Sequence, residues 1–334
     1  MSADAGADAP LVTIDQVRAA AVTLRGIASR SPLVPFGRPD ARRFLKAESL
    51  QPIGAFKIRG AYVAVAALAP EERARGVITY SSGNHAQGVA RAARLFGVPA
   101  VIVMPADAPA LKKARVESDG AELVVVGTSS DERQRVAEAI AAQRGLAIIP
   151  PFDDDRIIAG QGTVGLEIAE DLPDVGAVLV PIGGGGLASG VCVALRALAP
   201  RARLVGVEPD LAADAQQSLR EGRIVRWSPE DSSRTIADGT RTTAIGRRNF
   251  AHLARLLDDV VTVSESEIGA AVRLAAEESR LVVEPSGALT VAALAFQSGA
   301  AGLDAIDGPI VAVVSGGNVD PARYRELLES PVPG

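Results

Sequence analysis

Along most of this chain, short apolar runs of strand length alternate with longer stretches in which apolar residues recur at helical spacing. Val77 to Tyr80, Ala100 to Met104, Leu123 to Val126, Ala177 to Val180, Leu204 to Val207 and Ile310 to Val314 are rich in β-branched residues. Each leads into a Gly, Pro or Ser turn and, in most cases, into an apolar-periodic segment. That rhythm predicts βα units, and so an α/β fold with largely parallel sheet flanked by helices. Two helix starts carry their own signal. Thr13-Ile-Asp-Gln16 reads as a capping box opening a helix through about Ala28, and Ser264-Glu-Ser-Glu267 as another opening a helix through about Ser279. Neither a sequence repeat nor a long linker interrupts the pattern, so a second lobe is expected as an insertion rather than an appendage. The expected division is a large lobe of residues 11–74 and 151–329 and a small lobe of residues 75–150.

Composition agrees with two lobes, because 334 residues exceed what one hydrophobic core usually holds. An apolar share of 48% with a net charge of -5 excludes a disordered chain. It also supplies no basic field for nucleic acid or anionic lipid, which leaves small-molecule chemistry as the default. No apolar run reaches the ~18 residues of a membrane span. Met1 to Pro10 lack the basic start and apolar run of a signal peptide and read as a loose tail. The single cysteine, Cys192, sits in the apolar helical pattern Leu187 to Leu198, where a buried and inert thiol is expected; this suits a reducing cytoplasm. Of 35 basic residues only Lys46, Lys57, Lys112 and Lys113 are lysines. Arginine can neither form a Schiff base nor give up its proton, so each retained lysine is a candidate for chemistry that needs an amine.

Three strands end in small polar loops: Ser81-Ser-Gly-Asn-His85, Gly183-Gly-Gly-Gly186 and Ser315-Gly-Gly-Asn318. In open α/β sheets ligands bind at the carboxyl ends of strands, so these loops are the candidate site. Gly183, Gly184, Gly185 and Gly186 lie between a strand and the helix beginning near Leu187, where free N–H groups and the helix dipole form a phosphate seat. The same stretch satisfies the dinucleotide fingerprint Gly183-x-Gly185-x-x-Ala188, with Glu208 near the ribose distance, which keeps a nicotinamide dinucleotide as an alternative ligand. Lys57, in Gly54-Ala-Phe-Lys-Ile-Arg-Gly60, starts an apolar helix running to about Leu68 and does not resemble a solvated charge. Lys46 follows a short strand beside Glu48, and Lys112 and Lys113 read as a helix surface pair. The Ser81 to His85 loop offers hydroxyl, amide and imidazole groups suited to a carboxylate or phenolate, although capping alone would account for Asn84 or Ser82. His252 reads as a helix surface residue. Glu208 and Asp214, with the Ala212 carbonyl between them, form an oxygen set for a hard cation, or else a pair of helix caps.

Taken together, Gly54-Ala-Phe-Lys-Ile-Arg-Gly-Ala61, Ser82-Gly-Asn-His-Ala-Gln-Gly88, Ile158-Ala-Gly-Gln-Gly-Thr163, Pro181 to Gly186, Thr235-Ile-Ala-Asp-Gly239, Glu284-Pro285 and Ser315 to Asp320 resemble the serine racemase and threonine dehydratase family. These are fold-type II pyridoxal-phosphate enzymes, similar in architecture to the tryptophan synthase β subunit, and the resemblance covers the chain from about Thr13 to Asp320. It implies that Lys57 holds pyridoxal 5'-phosphate as a Schiff base and shuttles protons, that Phe56 packs on the pyridine ring, and that Asn84 bonds its phenolate. Gly183 to Gly186 and Leu187 would hold the phosphate, Gly239 would support the other ring face, and Ser315 would meet the pyridine nitrogen. Ser81, Asn84, His85 and Thr242 would take the substrate carboxylate. Arg133 matches an arginine that faces the substrate side in serine racemases, which suits a second carboxylate. Glu208, the Ala212 carbonyl and Asp214 would hold a structural divalent cation, Mg2+, Ca2+ or Mn2+. The implied activity is ammonia-lyase chemistry on L-threonine or L-serine, with serine racemisation or 3-hydroxyaspartate deamination as alternatives. Threonine dehydratases commonly have alanine where this chain has Ser82, and serine racemases and hydroxyaspartate ammonia-lyases have serine; Ser82 is therefore the expected second catalytic group, on the face opposite Lys57. A homodimer is implied. The chain ends soon after Tyr324, so no isoleucine-responsive regulatory domain is expected.

Overall fold

The computed structural model describes residues 10–81, 83–106, 108, 110–127 and 130–333. Met1–Ala9 of the expected tail, and Ser82, lie outside the described residues. The described residues form ten strands: β1 Leu33–Pro35, β2 Arg43–Ala47, β3 Val77–Tyr80, β4 Ala100–Pro105, β5 Glu122–Val126, β6 Ala147–Ile148, β7 Ala177–Pro181, β8 Arg203–Pro209, β9 Asp259–Val263 and β10 Ile310–Val314. They form two sheets, one in the order β1-β2-β10-β7-β8-β9 and the other β5-β4-β3-β6. Every pairing is parallel except β1 with β2. The six strands read from the sequence are β3, β4, β5, β7, β8 and β10. β1 and β6 are too short for a pattern, and β9 carries polar residues at Asp259 and Thr262.

Strand alternation explains why both faces of the large sheet are buried. Leu179, Val205 and Ala312 join Ile268, Leu289 and Val291 on one face, while Val178, Val180, Leu204 and Val311 join Val191 and Leu195 on the other. In the small sheet Val77, Ile102 and Met104 face Ala86 and Val89, and Ile78, Val101 and Val103 face Ala137. The small sheet comprises only residues between 77 and 148. The helix Lys57–Ala66, however, sends Ala61, Ala64 and Val65 into the small sheet's core, while Phe56 just before it packs on the core of the large sheet. Among the described residues no helix is long and apolar enough to cross a membrane.

Both capping boxes form, at Thr13 and at Ser264. The first helix stops at Thr23 rather than Ala28, and the chain leaves it through turns around Arg25 and Gly26. Two sequence expectations are corrected. His252 is not a surface residue: it is fully buried, Nε2 accepts from the Val12 N–H at 2.9 Å and Nδ1 lies 2.6 Å from the Arg248 carbonyl. Lys46 lies within β2, not after it, and is fully buried. Its Nζ donates to the Ser31 carbonyl at 2.6 Å and pairs with Glu167 at 2.7 Å. Arg59 then forks between Glu48 and Glu167, with contacts of 2.7–3.0 Å. This ionic staple ties β2 and the Glu48 turn to the Lys57–Ala66 and Asp155–Asp171 helices, and so fixes the helix that presents Lys57.

Candidate active site

Lys57 is the first residue of its helix, and the segment before it is sewn to the end of β10. The Phe56 N–H donates to the Ser315 carbonyl at 3.0 Å, Ala55 bridges Gly316, and the Gly317 N–H donates to the Gly54 carbonyl at 2.9 Å. The lysine Nζ donates to the Pro151 carbonyl at 2.8 Å and lies 5.2 Å from the centre of the Phe56 ring. Burial pushes this ammonium down from 10.5 to about 8. An ammonium depressed this far leaves a usable fraction of free amine at physiological pH, which can act as nucleophile or base.

β7 leads into the glycine run and the helix Gly186–Leu198. The N-cap, Gly185, has φ 94°, a left-handed conformation in which a side chain would be strained. A Cβ on Gly184 would overlap the Phe152 ring. Packing therefore requires more of this run to be glycine than a tight turn alone would. The first N–H groups of the helix have no intrahelical acceptor, so an anion has donors available here.

β3 leads to Ser81 and to the helix Asn84–Phe96. Asn84 Nδ2 donates to Glu284 Oε1 at 2.6 Å, and Asn84 Oδ1 accepts from Asn318 Nδ2 at 2.8 Å. His85 is buried with Nε2 3.0 Å from the Ile149 carbonyl, while Nδ1 meets no partner. Burial, and then the Lys57 charge, push it down to about 3, so the imidazole is neutral. Gly239 N–H donates to Ser286 Oγ at 2.8 Å, and Ser315 Oγ lies 3.4 Å from the Ser286 carbonyl. Lys57, Phe56 and Ser315 are thus joined directly, and Asn84 reaches the same strand end through Glu284, whose N–H donates to the Gly316 carbonyl at 3.1 Å. Gly183 reaches the same wall, since a Cβ there would meet Thr240 at 3.1 Å, next to Gly239.

Other candidates lie elsewhere. Glu208 is fully buried and accepts from the Ala215 and Gln216 N–H groups at 3.1 and 2.7 Å. Asp214 is 1% exposed, and neither carboxylate oxygen has a hydrogen-bond partner. Burial, then the Asp214 charge, push Glu208 well above the carboxylate range, and burial lifts Asp214 to about 7. The Thr242 side chain lies within reach of Asp214. Arg133 is half-buried on the Ser130–Arg144 helix. Lys112, expected on a surface, is largely covered and pairs with Asp238 of the large lobe at 2.5 Å. Cys192 is buried and pushed up to about 12 by that burial, as an inert thiol should be. Glu284 and Asn318 lie in motifs that carry the family resemblance, but neither has a role legible in its motif. Phe152 and Ser286 touch their partners across long sequence separations and leave no periodic trace.

The family model for pyridoxal-phosphate dependent enzymes matches residues 25–316. The chain belongs to this family. It is 42% identical over 291 residues to an L-threo-3-hydroxyaspartate ammonia-lyase of Saccharomyces cerevisiae, covering 87% of each chain. It is 41% identical over 314 residues to an L-threonine ammonia-lyase of Thermotoga maritima, covering 93% of this chain and 76% of the relative. The solved structure of maize serine racemase superposes with a TM-score of 0.88 at 37% identity, covering 95% of this chain and 97% of that one. The dinucleotide alternative for the glycine run is set aside by this membership: the chain is a pyridoxal-phosphate-dependent enzyme of the fold-type II architecture, in a group that holds ammonia-lyases and a racemase.

Proposed function

We propose that this enzyme removes water and then ammonia from a small β-hydroxy amino acid, L-threonine or L-serine, giving a 2-oxo acid. The observation that carries the reading is Lys57: a half-buried lysine whose ammonium is depressed to about 8, its Nζ on the Pro151 carbonyl and its backbone packed on Gly88 of the Asn84–Phe96 helix. The residues present fit the cofactor. Lys57 Nζ is the amine for its aldehyde, Phe56 lies against Nζ, and the N–H groups from Gly183 to Leu187, at the start of a helix, are the donors that would take its phosphate, with the Phe152 ring packed against Gly184. Asn84 Nδ2 keeps a second hydrogen for the phenolate, and the Ser315 hydroxyl, only weakly engaged, is free to turn to the pyridine nitrogen. Gly239 supports the opposite ring face.

When bound, pyridoxal phosphate supplies the electron sink that makes a substrate α-proton removable. Lys57 Nζ would be the base that takes that proton; near neutrality about a tenth of such an amine is already unprotonated. Ser315 is a neutral hydroxyl and would not hold a proton on the pyridine nitrogen as a carboxylate would, which would favour early loss of the β-hydroxyl. Ser81, Asn84, His85 and Thr242 are assigned to the substrate carboxylate, His85 through its backbone N–H because its imidazole is turned to Ile149. Glu208, Asp214 and the Ala212 carbonyl are assigned to a structural divalent cation. The support is that two buried carboxylates adjoin with Asp214 unpartnered. Among the described residues no three His, Cys, Asp or Glu side chains form a metal cluster, so the carbonyl is needed to complete the set.

The likeness to the yeast enzyme favours a second reading, hydroxyaspartate deamination, in which Arg133 would meet the distal carboxylate. The likeness to serine racemase supports a third reading, racemisation, in which Ser82 would be the second acid–base group. One assay separates these: incubation with L-threonine, L-serine, D-serine and both 3-hydroxyaspartate diastereomers, following 2-oxo acid and enantiomer ratio. The L-threonine or L-serine reaction should be fastest, absent in Lys57→Ala and retained in Ser82→Ala, which should lose only racemisation and D-serine turnover. A Lys57→Ala enzyme that still eliminates overturns the assignment.

A further inference from the structure

Asn84 is an amide, and an amide offers a donor or an acceptor to the cleft depending on which way it is turned. Resting on the cofactor assignment above, we infer that Arg115 sets that direction through Asn318, making it a positioning residue for Asn84. Arg115 lies on the Ala110–Ser118 helix of the small lobe and donates through Nη1 to Asn318 Oδ1, beyond β10 in the large lobe. A guanidinium can only donate, so Asn318 must turn its oxygen toward Arg115 and its Nδ2 away. That Nδ2 donates at 2.8 Å to both the Ile53 carbonyl and Asn84 Oδ1. Asn84 Oδ1 is thereby committed as the acceptor, and Asn84 Nδ2 is aimed at Glu284 Oε1 with one hydrogen left for the cleft. The polarity runs in one sense from Arg115 to Asn318 to Asn84, and only its first member carries a fixed charge.

Without Arg115, only the Ile53 carbonyl is left to hold the Asn318 nitrogen on the side of Asn84, and a single neutral hydrogen bond replaces a charge-assisted one as the restraint on that amide. A flipped Asn318 sets oxygen against oxygen; Asn84 then turns over and presents its own oxygen to the anionic phenolate, which repels it. The relay thus controls whether the cofactor meets a donor or an acceptor.

The test uses holoenzyme and reads cofactor affinity and the pH at which the visible band titrates, alongside melting temperature. Arg115→Ala and Arg115→Met should each weaken cofactor binding about tenfold, the scale of one lost charge-assisted hydrogen bond, and shift the titration by about one unit. Arg115→Lys, which retains a donor, should restore both. Asn318→Asp, which can only accept, should reproduce or exceed the Arg115→Ala effect. If Arg115→Met keeps wild-type affinity and titration, or Arg115→Lys fails to rescue a folded protein, the relay is overturned while the cofactor reading stands. A wild-type protein that stays colourless with pyridoxal phosphate overturns both.

Discussion

Burial sets the chemistry of individual side chains here. Lys57 is depressed to about 8 with no other cause than its loss of water, so capture of free pyridoxal phosphate by cofactor-free protein should accelerate with pH and level off near 8. Stopped-flow growth of the visible band measures this, and a rate still climbing past about 10 would mean an unperturbed lysine. The carboxylates show the converse. Asp214, buried without a partner beside Glu208, is unfavourable as it stands, and a divalent cation would relieve it. A chelator should therefore lower the melting temperature and activity, Mg2+, Ca2+ or Mn2+ should restore them, and Asp214→Ala should abolish the response. Persistence of the response in Asp214→Ala would place the cation elsewhere.

Between elements, the ionic staple does what apolar packing cannot: it locks the angle of the Lys57–Ala66 helix against β2 and the Asp155–Asp171 helix through groups with fixed geometry. Burial pushes the Glu48 carboxyl up, yet the Arg59 charge and hydrogen bonds outweigh this and hold it below its usual range. Removing one member leaves a buried charge short of partners, so Glu48→Gln should cost about 3–5 kcal/mol in urea unfolding. A loss under about 1 kcal/mol would show that Glu167 alone satisfies Arg59. The staple also marks the limit of what the sequence conveys. Strands β3, β4, β7 and β10 were legible because their residues alternate or run apolar locally, and the capping boxes because both partners sit three residues apart. Lys57 was legible because a lysine stands out among arginines. Lys46, Glu48, Arg59 and Glu167 look like ordinary surface charges in sequence; 121 positions separate Lys46 from Glu167 (167 minus 46), and no local pattern spans that distance.

Across the whole molecule, charges on one lobe tune groups on the other. Glu284 of the large lobe is lifted to about 7, first by burial and then by Asp238; Lys112 of the small lobe and the hydrogen bond from Asn84 pull it down. The ordinary value is 4.5, so below that pH Glu284 is neutral in both folded and unfolded chains and its contribution to stability is fully present. As pH rises from there, the unfolded chain ionises first, and stability is lost progressively until the folded group also ionises near 7. A displacement of that size corresponds to about 3 kcal/mol. Melting temperatures of wild type and Glu284→Gln, compared across this window, should diverge in favour of the variant as pH rises and run parallel above it. Lys112→Met removes the cation that pairs with Asp238 at 2.5 Å, and so should carry the divergence to higher pH. Lys112→Met lies across the cleft from Glu284, so a shifted window in that variant reports contact between the lobes in solution. If the two curves run parallel throughout, Glu284 keeps its ordinary titration and the cleft is wetter than this structure shows. If the window is present but unmoved in Lys112→Met, the lobes do not hold that pairing.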